Sequence, residues 1–292
     1  MLGDMISVQG AVDTHIHSHP CLFPRLTDDR GVVGAAVNAG MAGVMLKCHF
    51  ESTASRAYHM GLQFPEIKVF GGIVLNTYVG GFNPAAVEVC LKLGGKQVWM
   101  PTIDAANHAA VFGSTGRYDV QAVESNRPAH PGISPLKDGG ILPEVYEILD
   151  LVAQYNVILG TSHLSAQEIL AVVKAAKERK VQKILITHPF FKVPQLELGT
   201  LKELVNMGAM AEFAYCDVSP MIMSTTVDKV KQTIDEIGPD RCIIMSDNGQ
   251  RHNPMPCEGL RIFAQCLYEK GLSQAAVEKL MVHNPKQLLD MD

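Results

Sequence analysis

The sequence predicts a (β/α)8 TIM barrel, an α/β fold, with a long loop insertion after strand 4. Three observations carry this. Eight short apolar runs recur along the 292 residues, helical patterns separate them, and most runs are continuously apolar rather than alternating. Strands buried on both faces of a parallel sheet have that appearance, and strictly alternating strands and helices define the barrel. An open doubly wound sheet is the competing arrangement, but no G-x-G-x-x-G follows the first run. One domain is expected over residues 1–292, a usual length for such a barrel.

The runs are GAVDTH (10–15), GVMLKC (43–48), KVFGGIVL (68–75), QVWMPT (97–102), NVILGTS (156–162), KILITH (183–188), GAMAEFAY (208–215) and CIIMSD (242–247). After the second, Ser52 or Thr53 can cap a helix that carries Arg56 in its first turns. After the third, NTYVGGFNP (76–84) reads as a Gly-rich turn, with an anion cradle of backbone amides as the less favoured reading. Residues 103–141 break the rhythm: they are rich in Gly, Pro, Ser, Asn and His and too long for an ordinary strand-to-helix loop. Following a strand, they would lie over the barrel mouth as a lid or substrate loop carrying His108, Arg117 and His130.

The helices between later runs are explicit. LPEVYEILDLVAQYN (142–156) has Pro in its first turn. SAQEILAVVKAAKERK (165–180) opens with a capping box, Ser165 and Glu168, and ends in basic residues. TLKELVNMG (200–208) closes on a C-cap Gly, TTVDKVKQTIDEIG (225–238) follows the same logic, and helices over 256–271 and 273–289 end the chain.

Composition narrows the functional classes. Apolar residues make up 47% and charged residues 19%, and the net charge is −5, so there is no basic footprint for nucleic acid. No apolar run approaches the roughly 18 residues that span a bilayer, so no membrane association is expected. The first residues lack a charged segment followed by an apolar one, so no signal peptide is expected. Seven cysteines with no C-x-x-C spacing fit free thiols in a reducing cytoplasm. The expected partners are a small-molecule substrate and a further copy of the chain, the latter because the mean hydropathy is +0.10.

The polar residues that end the strands converge on one mouth in a barrel. Strand 1 ends in His15 and His17, whose H-x-H spacing puts both imidazoles on one side of an extended chain. Strand 2 ends in Lys47 and His49, strand 5 in His163, strand 6 in His188 and strand 8 in Asp247. Each histidine alone is an ordinary strand-end residue. Together they form an imidazole and carboxylate set suited to zinc or a similar divalent metal.

With VDTHIH, GTSHLS, ITHP and SDNG at these positions, the sequence resembles the amidohydrolase superfamily over nearly the whole barrel. More narrowly, VMLKCHFESTASRA, VFGGIVLN, VWMPT and GILPEVYEILDLV resemble a little-characterised subgroup of predicted metal-dependent hydrolases, a likeness that brings no substrate with it. The resemblance implies that His15, His17, His163, His188 and Asp247 are metal ligands. It also implies that Asp247 takes a proton from the attacking water. The chain departs from two-metal members at the end of strand 4, where a bridging lysine or glutamate is replaced by Trp99, Met100 or Pro101, with Asp104 a little further on. One ion, zinc, is therefore favoured, with two held through Lys47 or Glu212 as the alternative. Lys47 and His49 are placed to stabilise developing negative charge, and Arg56 and Arg251 are candidates for binding substrate. His19, His59 and His283 are read as non-ligands. The expected activity is hydrolysis of an amide, lactone, cyclic amide or ester. A metal-dependent non-oxidative decarboxylase and a barrel that binds without turnover are the alternatives.

Overall fold

A computed structural model describes residues 5–119, 121–124 and 130–291. The first four residues of the N-terminus and residues 120 and 125–129 of the insertion lie outside the described residues. The strands form a parallel eight-stave barrel. Its staves begin with β1 (Val12–Ile16) and β2 (Gly43–Leu46), separated by α1 (Asp29–Asn38), whose Asp28 cap accepts from the Gly31 amide. α2 (Ala54–Gln63) leads to the third stave, which is split into β3 (Lys68–Phe70) and β4 (Gly72–Val74).

The split has a local cause. A side chain at Gly71 would meet the Thr53 carbonyl at 2.4 Å. Thr53 also accepts from the Gly72 amide (2.9 Å) and donates to the Leu46 carbonyl (2.7 Å). Its hydroxyl is thus spent between staves and makes no side-chain cap on α2, although Thr53 occupies the cap position.

α3 (Pro84–Lys92) and the fourth stave, β5 (Gln97–Trp99), precede the insertion. Within it lie α4 (Ala106–Phe112) and a small hairpin of β6 (Leu136–Lys137) and β7 (Gly140–Ile141), so the predicted loop is partly built. The rest alternates as predicted: α5 (Pro143–Tyr155), β8 (Ile158–Gly160), α6 (Ala166–Glu178), β9 (Lys183–Thr187), α7 (Leu198–Asn206), β10 (Met210–Ala214), the short α8 (Tyr215–Val218), α9 (Val227–Ile237) and β11 (Cys242–Met245). α10 (Pro256–Glu269) packs outside, and the closing segment runs as α11 (Gln274–Glu278), a π-helical turn (Lys279–His283) and α12 (Asn284–Leu288). The π turn ends two residues before Pro285, which has no amide hydrogen to continue the ladder.

The barrel closes where β11 meets β1: the Asp247 amide donates to the His15 carbonyl (3.0 Å) and the His17 amide to the Asn248 carbonyl (2.7 Å). At this seam a side chain at Gly249 (φ +134°) would strike the His17 carbonyl at 1.9 Å, so glycine is required. Inside, Val12, Met45, Val74, Trp99, Ile158, Leu185 and Ile243 pack together with Met210 alongside, one residue from each stave, and α12 plugs the bottom with Leu288 and Leu289. The larger apolar cluster lies between the sheet and the surrounding helices. Among the described residues no helix is long and apolar enough to cross a membrane.

Candidate metal centre

The H-x-H pair lies at the end of β1 and just beyond it. His15 is fully buried and His17 is 3% exposed. Asp247 follows β11 in a left-handed conformation (φ 51°), which costs energy for a non-glycine residue and turns its carboxylate into the mouth. Its Oδ1 lies 3.2 Å from His15 Nε2 and 3.1 Å from His17 Nε2. These three residues are the one metal-capable group found among the described residues, with donor atoms within 4.8 Å of one another.

The proton inventory of His17 shows that the group fits an ion. His17 Nδ1 lies 3.1 Å from the Lys47 carbonyl, which can only accept, so Nδ1 carries the ring proton. Burial, the largest cause, and then the Arg25 and Lys47 charges hold His17 well below its usual pKa, so it stays neutral. Nε2 therefore points a lone pair at a carboxylate oxygen 3.1 Å away. Two acceptors at that distance repel unless a cation sits between them. Donors sharing one tetrahedral ion at about 2.1 Å lie roughly 3.4 Å apart, close to what is observed.

The remaining strand-end residues surround this group. Lys47 Nζ is 2.9 Å from His15 Nε2 and stands over the Trp99 ring at 5.3 Å. Its burial lowers its pKa to about 8, against the opposing pull of Asp247 and Glu212. His49 stacks on His17 (ring centroids 4.9 Å) and bonds Thr102 Oγ1 through Nδ1 (2.9 Å). Glu212, on β10, is buried, accepts from Thr14 Oγ1 at 2.8 Å, and has its pKa pushed up to about 7 by burial.

His163 and His188 line the same cavity, with rings 5.1 Å apart, but stand outside the tight three-residue group; His188 is 6.2 Å from His15 between ring centroids. His188 (φ 33°) and Ser162 (φ 52°), beside His163, share the left-handed backbone of Asp247. His163 is held by the insertion. His108, on α4, gives its Nε2 proton to the Arg117 carbonyl (2.7 Å), which leaves Nδ1 to accept from His163 Nδ1 at 2.8 Å. His163 Nε2 is then left as a free lone pair. Asn107, one residue earlier, bonds the Val193 carbonyl (2.9 Å) and anchors the same helix.

The two sequence-predicted substrate arginines lie elsewhere. Arg56 is spent on structure: it pairs with Asp29 (2.6 Å) and Glu51 (2.9 Å) and bonds Ser18 Oγ (3.1 Å), clamping the loop after β1. Arg251 is exposed and, among the described residues, donates to the Arg25 carbonyl (3.4 Å). The arginine that does line the cavity is Arg25, 3% exposed, which the sequence reading missed. It sits in a loop before a helix cap, LTDD, and nothing in the sequence separates it from a surface residue.

The other candidates resolve as follows. The 76–84 turn contributes no cavity wall; Asn76 braces the His49 carbonyl (3.0 Å) and Thr102 (2.8 Å) instead. Asp104 accepts from the Thr77 amide (2.9 Å) and does not reach the three-residue group. Phe112, Tyr118, Asp119 and Gln121 of the insertion wall the cavity, which measures about 420 Å³.

The fold is the barrel also seen in solved amidohydrolases, here with an H-x-H pair and an aspartate after the last strand meeting at its mouth. The chain belongs to DUF6282, described as a family of unknown function, whose model matches residues 10–212. No curated protein matches it. Among solved structures it resembles an amidohydrolase from Pseudomonas aeruginosa (13% identity, 96% of this chain and 95% of that one, TM-score 0.63). It also resembles a phosphotriesterase homology protein from Escherichia coli complexed with phosphate (15%, 97% and 100%, TM-score 0.58). A third likeness is to a lactonase from Listeria monocytogenes (14%, 98% and 97%, TM-score 0.54).

Proposed function

We propose that the protein is a metal-dependent hydrolase that attacks an amide, lactone, cyclic amide or ester of a small molecule with water. The observation that carries this is the neutral His17 lone pair facing the Asp247 carboxylate at 3.1 Å, with His15 Nε2 at 3.2 Å from the same oxygen. His15, His17 and Asp247 would hold the ion, and His163 and His188, on the same cavity wall, would complete the set. Zinc suits imidazole and carboxylate donors. A divalent ion held there would supply Lewis acidity, making water more acidic and polarising a substrate oxygen.

The chain's own groups do the rest. Asp247 accepts the proton from water and returns it to the leaving group. Lys47 and His49 face the developing negative charge from within a buried wall, where electrostatic stabilisation is strongest. One ion is favoured over two because Trp99, not a bridging acid or lysine, fills the end of the fourth stave. Neighbours with this barrel include an amidohydrolase and a lactonase, which supports the reaction class.

The test is a panel of lactones and cyclic amides with zinc-loaded protein and Asp247→Asn. The variant should lose about 100-fold or more of turnover, the usual range for a general base, with an unchanged circular dichroism spectrum. Retained turnover on a substrate that the wild type hydrolyses would remove Asp247 from this role.

A further inference from the structure

Resting on the hydrolase reading, we propose that Arg25 anchors a substrate carboxylate, so that the cavity takes a small organic acid with an apolar or aromatic body. Arg25 is 3% exposed, yet its side chain has no carboxylate partner among the described residues. Of the other cationic side chains nearby, Arg56 holds Asp29 and Glu51, Lys192, also on the cavity wall, holds Asp119 at 2.8 Å, and Lys47 reaches His15 Nε2 at 2.9 Å. A buried guanidinium is costly unless an anion compensates it.

The loop presents the group rigidly. The Arg25 amide donates to His19 Nε2 (3.1 Å), and its backbone bridges to Gln250. Nε donates to Cys21 Sγ (3.2 Å), a thiol whose pKa a Cys48 hydrogen bond and then the Arg25 charge draw down to about 5; this takes one of the five N–H donors and leaves the terminal nitrogens without a carboxylate among the described residues. The terminal nitrogen NH2 lies 3.3 Å from His17 Nδ1, but that atom is already a donor to the Lys47 carbonyl, so it cannot satisfy the guanidinium. The planar fork matches a carboxylate in two parallel bonds.

Position gives the fork its use. One imidazole separates Arg25 from the ligand group: His17 Nδ1 faces Arg25 at 3.3 Å, and His17 Nε2 faces Asp247 at 3.1 Å. A carboxylate held there places the neighbouring bonds of the same molecule over the centre. Phe23, Tyr118, Phe112 and Phe191 wall the space beside it, and about 420 Å³ suits a small ligand.

Phenylacetate and its uncharged amide, phenylacetamide, are the probes, titrated calorimetrically into metal-free protein. The wild type should bind phenylacetate at least tenfold more tightly, Arg25→Gln should erase the difference, and Cys21→Ser should keep it. Equal binding of the two probes by the wild type overturns the proposal without any variant. So does selectivity that persists in folded Arg25→Gln, or selectivity that arises only in Cys21→Ser, which would make the Cys21 sulfur the true counter-anion. Because these titrations use no metal, a chain that fails to bind zinc but selects phenylacetate refutes the hydrolase reading alone. A zinc-binding chain without selectivity refutes the anchor alone.

Discussion

At the residue scale, the site depends on which nitrogen of each histidine holds the proton. His17 is set by the Lys47 carbonyl, and His163 by a relay through His108 to the Arg117 carbonyl. Outer hydrogen bonds of this kind orient metal ligands, and their loss typically costs 10–100-fold in metal affinity. His108→Ala should therefore weaken zinc binding by about that factor, read by competition with a chelating dye, while His108→Asn, whose side-chain carbonyl can still accept from His163, recovers part of it. An affinity unchanged in both variants would show that His163 is not a ligand. The gathering of these histidines at one mouth was legible in the sequence because ligand-type residues end strands 1, 5, 6 and 8. The role of His108 was not, because nothing in a loop rich in polar residues says which of them turns inward. Arg56, expected to bind substrate, holds Asp29, while Arg25, not singled out in the sequence, lines the cavity, for a similar reason: which arginine is paired depends on tertiary contacts.

At the element scale, every predicted strand is present, since continuous apolar runs identify strands covered on both faces. The exceptions have particular causes: Thr53 and Gly71 split the third stave, and Pro285 sits behind the π turn in the last helix. The insertion hid α4 and a hairpin because short elements packed on a barrel rim carry little periodicity of their own. Trp99, the bulkiest residue of the barrel interior, fits because its neighbours lack side chains. A Cβ at Gly160 would meet its ring at 2.6 Å, and one at Gly72 would meet it at 2.7 Å and the Gln97 carbonyl at 2.1 Å. Gly160→Ala should cost about 1–3 kcal/mol of stability, the usual range for overpacking, and Gly72→Ala more, since backbone cannot move aside as easily. Urea unfolding checks this, and a neutral Gly160→Ala would mean that the Trp99 ring has room to turn.

At the scale of the whole molecule, the barrel keeps ionisable groups buried, with Lys47 and Glu212 beneath the mouth. Burial raises the Glu212 pKa to about 7, against about 4.3 in an unfolded chain. The folded state therefore holds its proton to higher pH than the unfolded state does. The stability this contributes is fully present below about pH 4.3 and is lost as pH rises towards 7. In metal-free protein, Glu212→Gln should reduce the fall in melting temperature between pH 5 and 8. A slope identical to wild type would show that Glu212 is ionised throughout.

Whether His15, His17 and Asp247 form a metal centre is decided by elemental analysis of the purified chain. The wild type should carry one zinc or similar divalent ion per chain, and a folded His15→Ala/His17→Ala double variant should lose it. A wild-type chain that retains no ion after zinc loading, or a double variant that binds it as tightly, would show that these residues hold no metal.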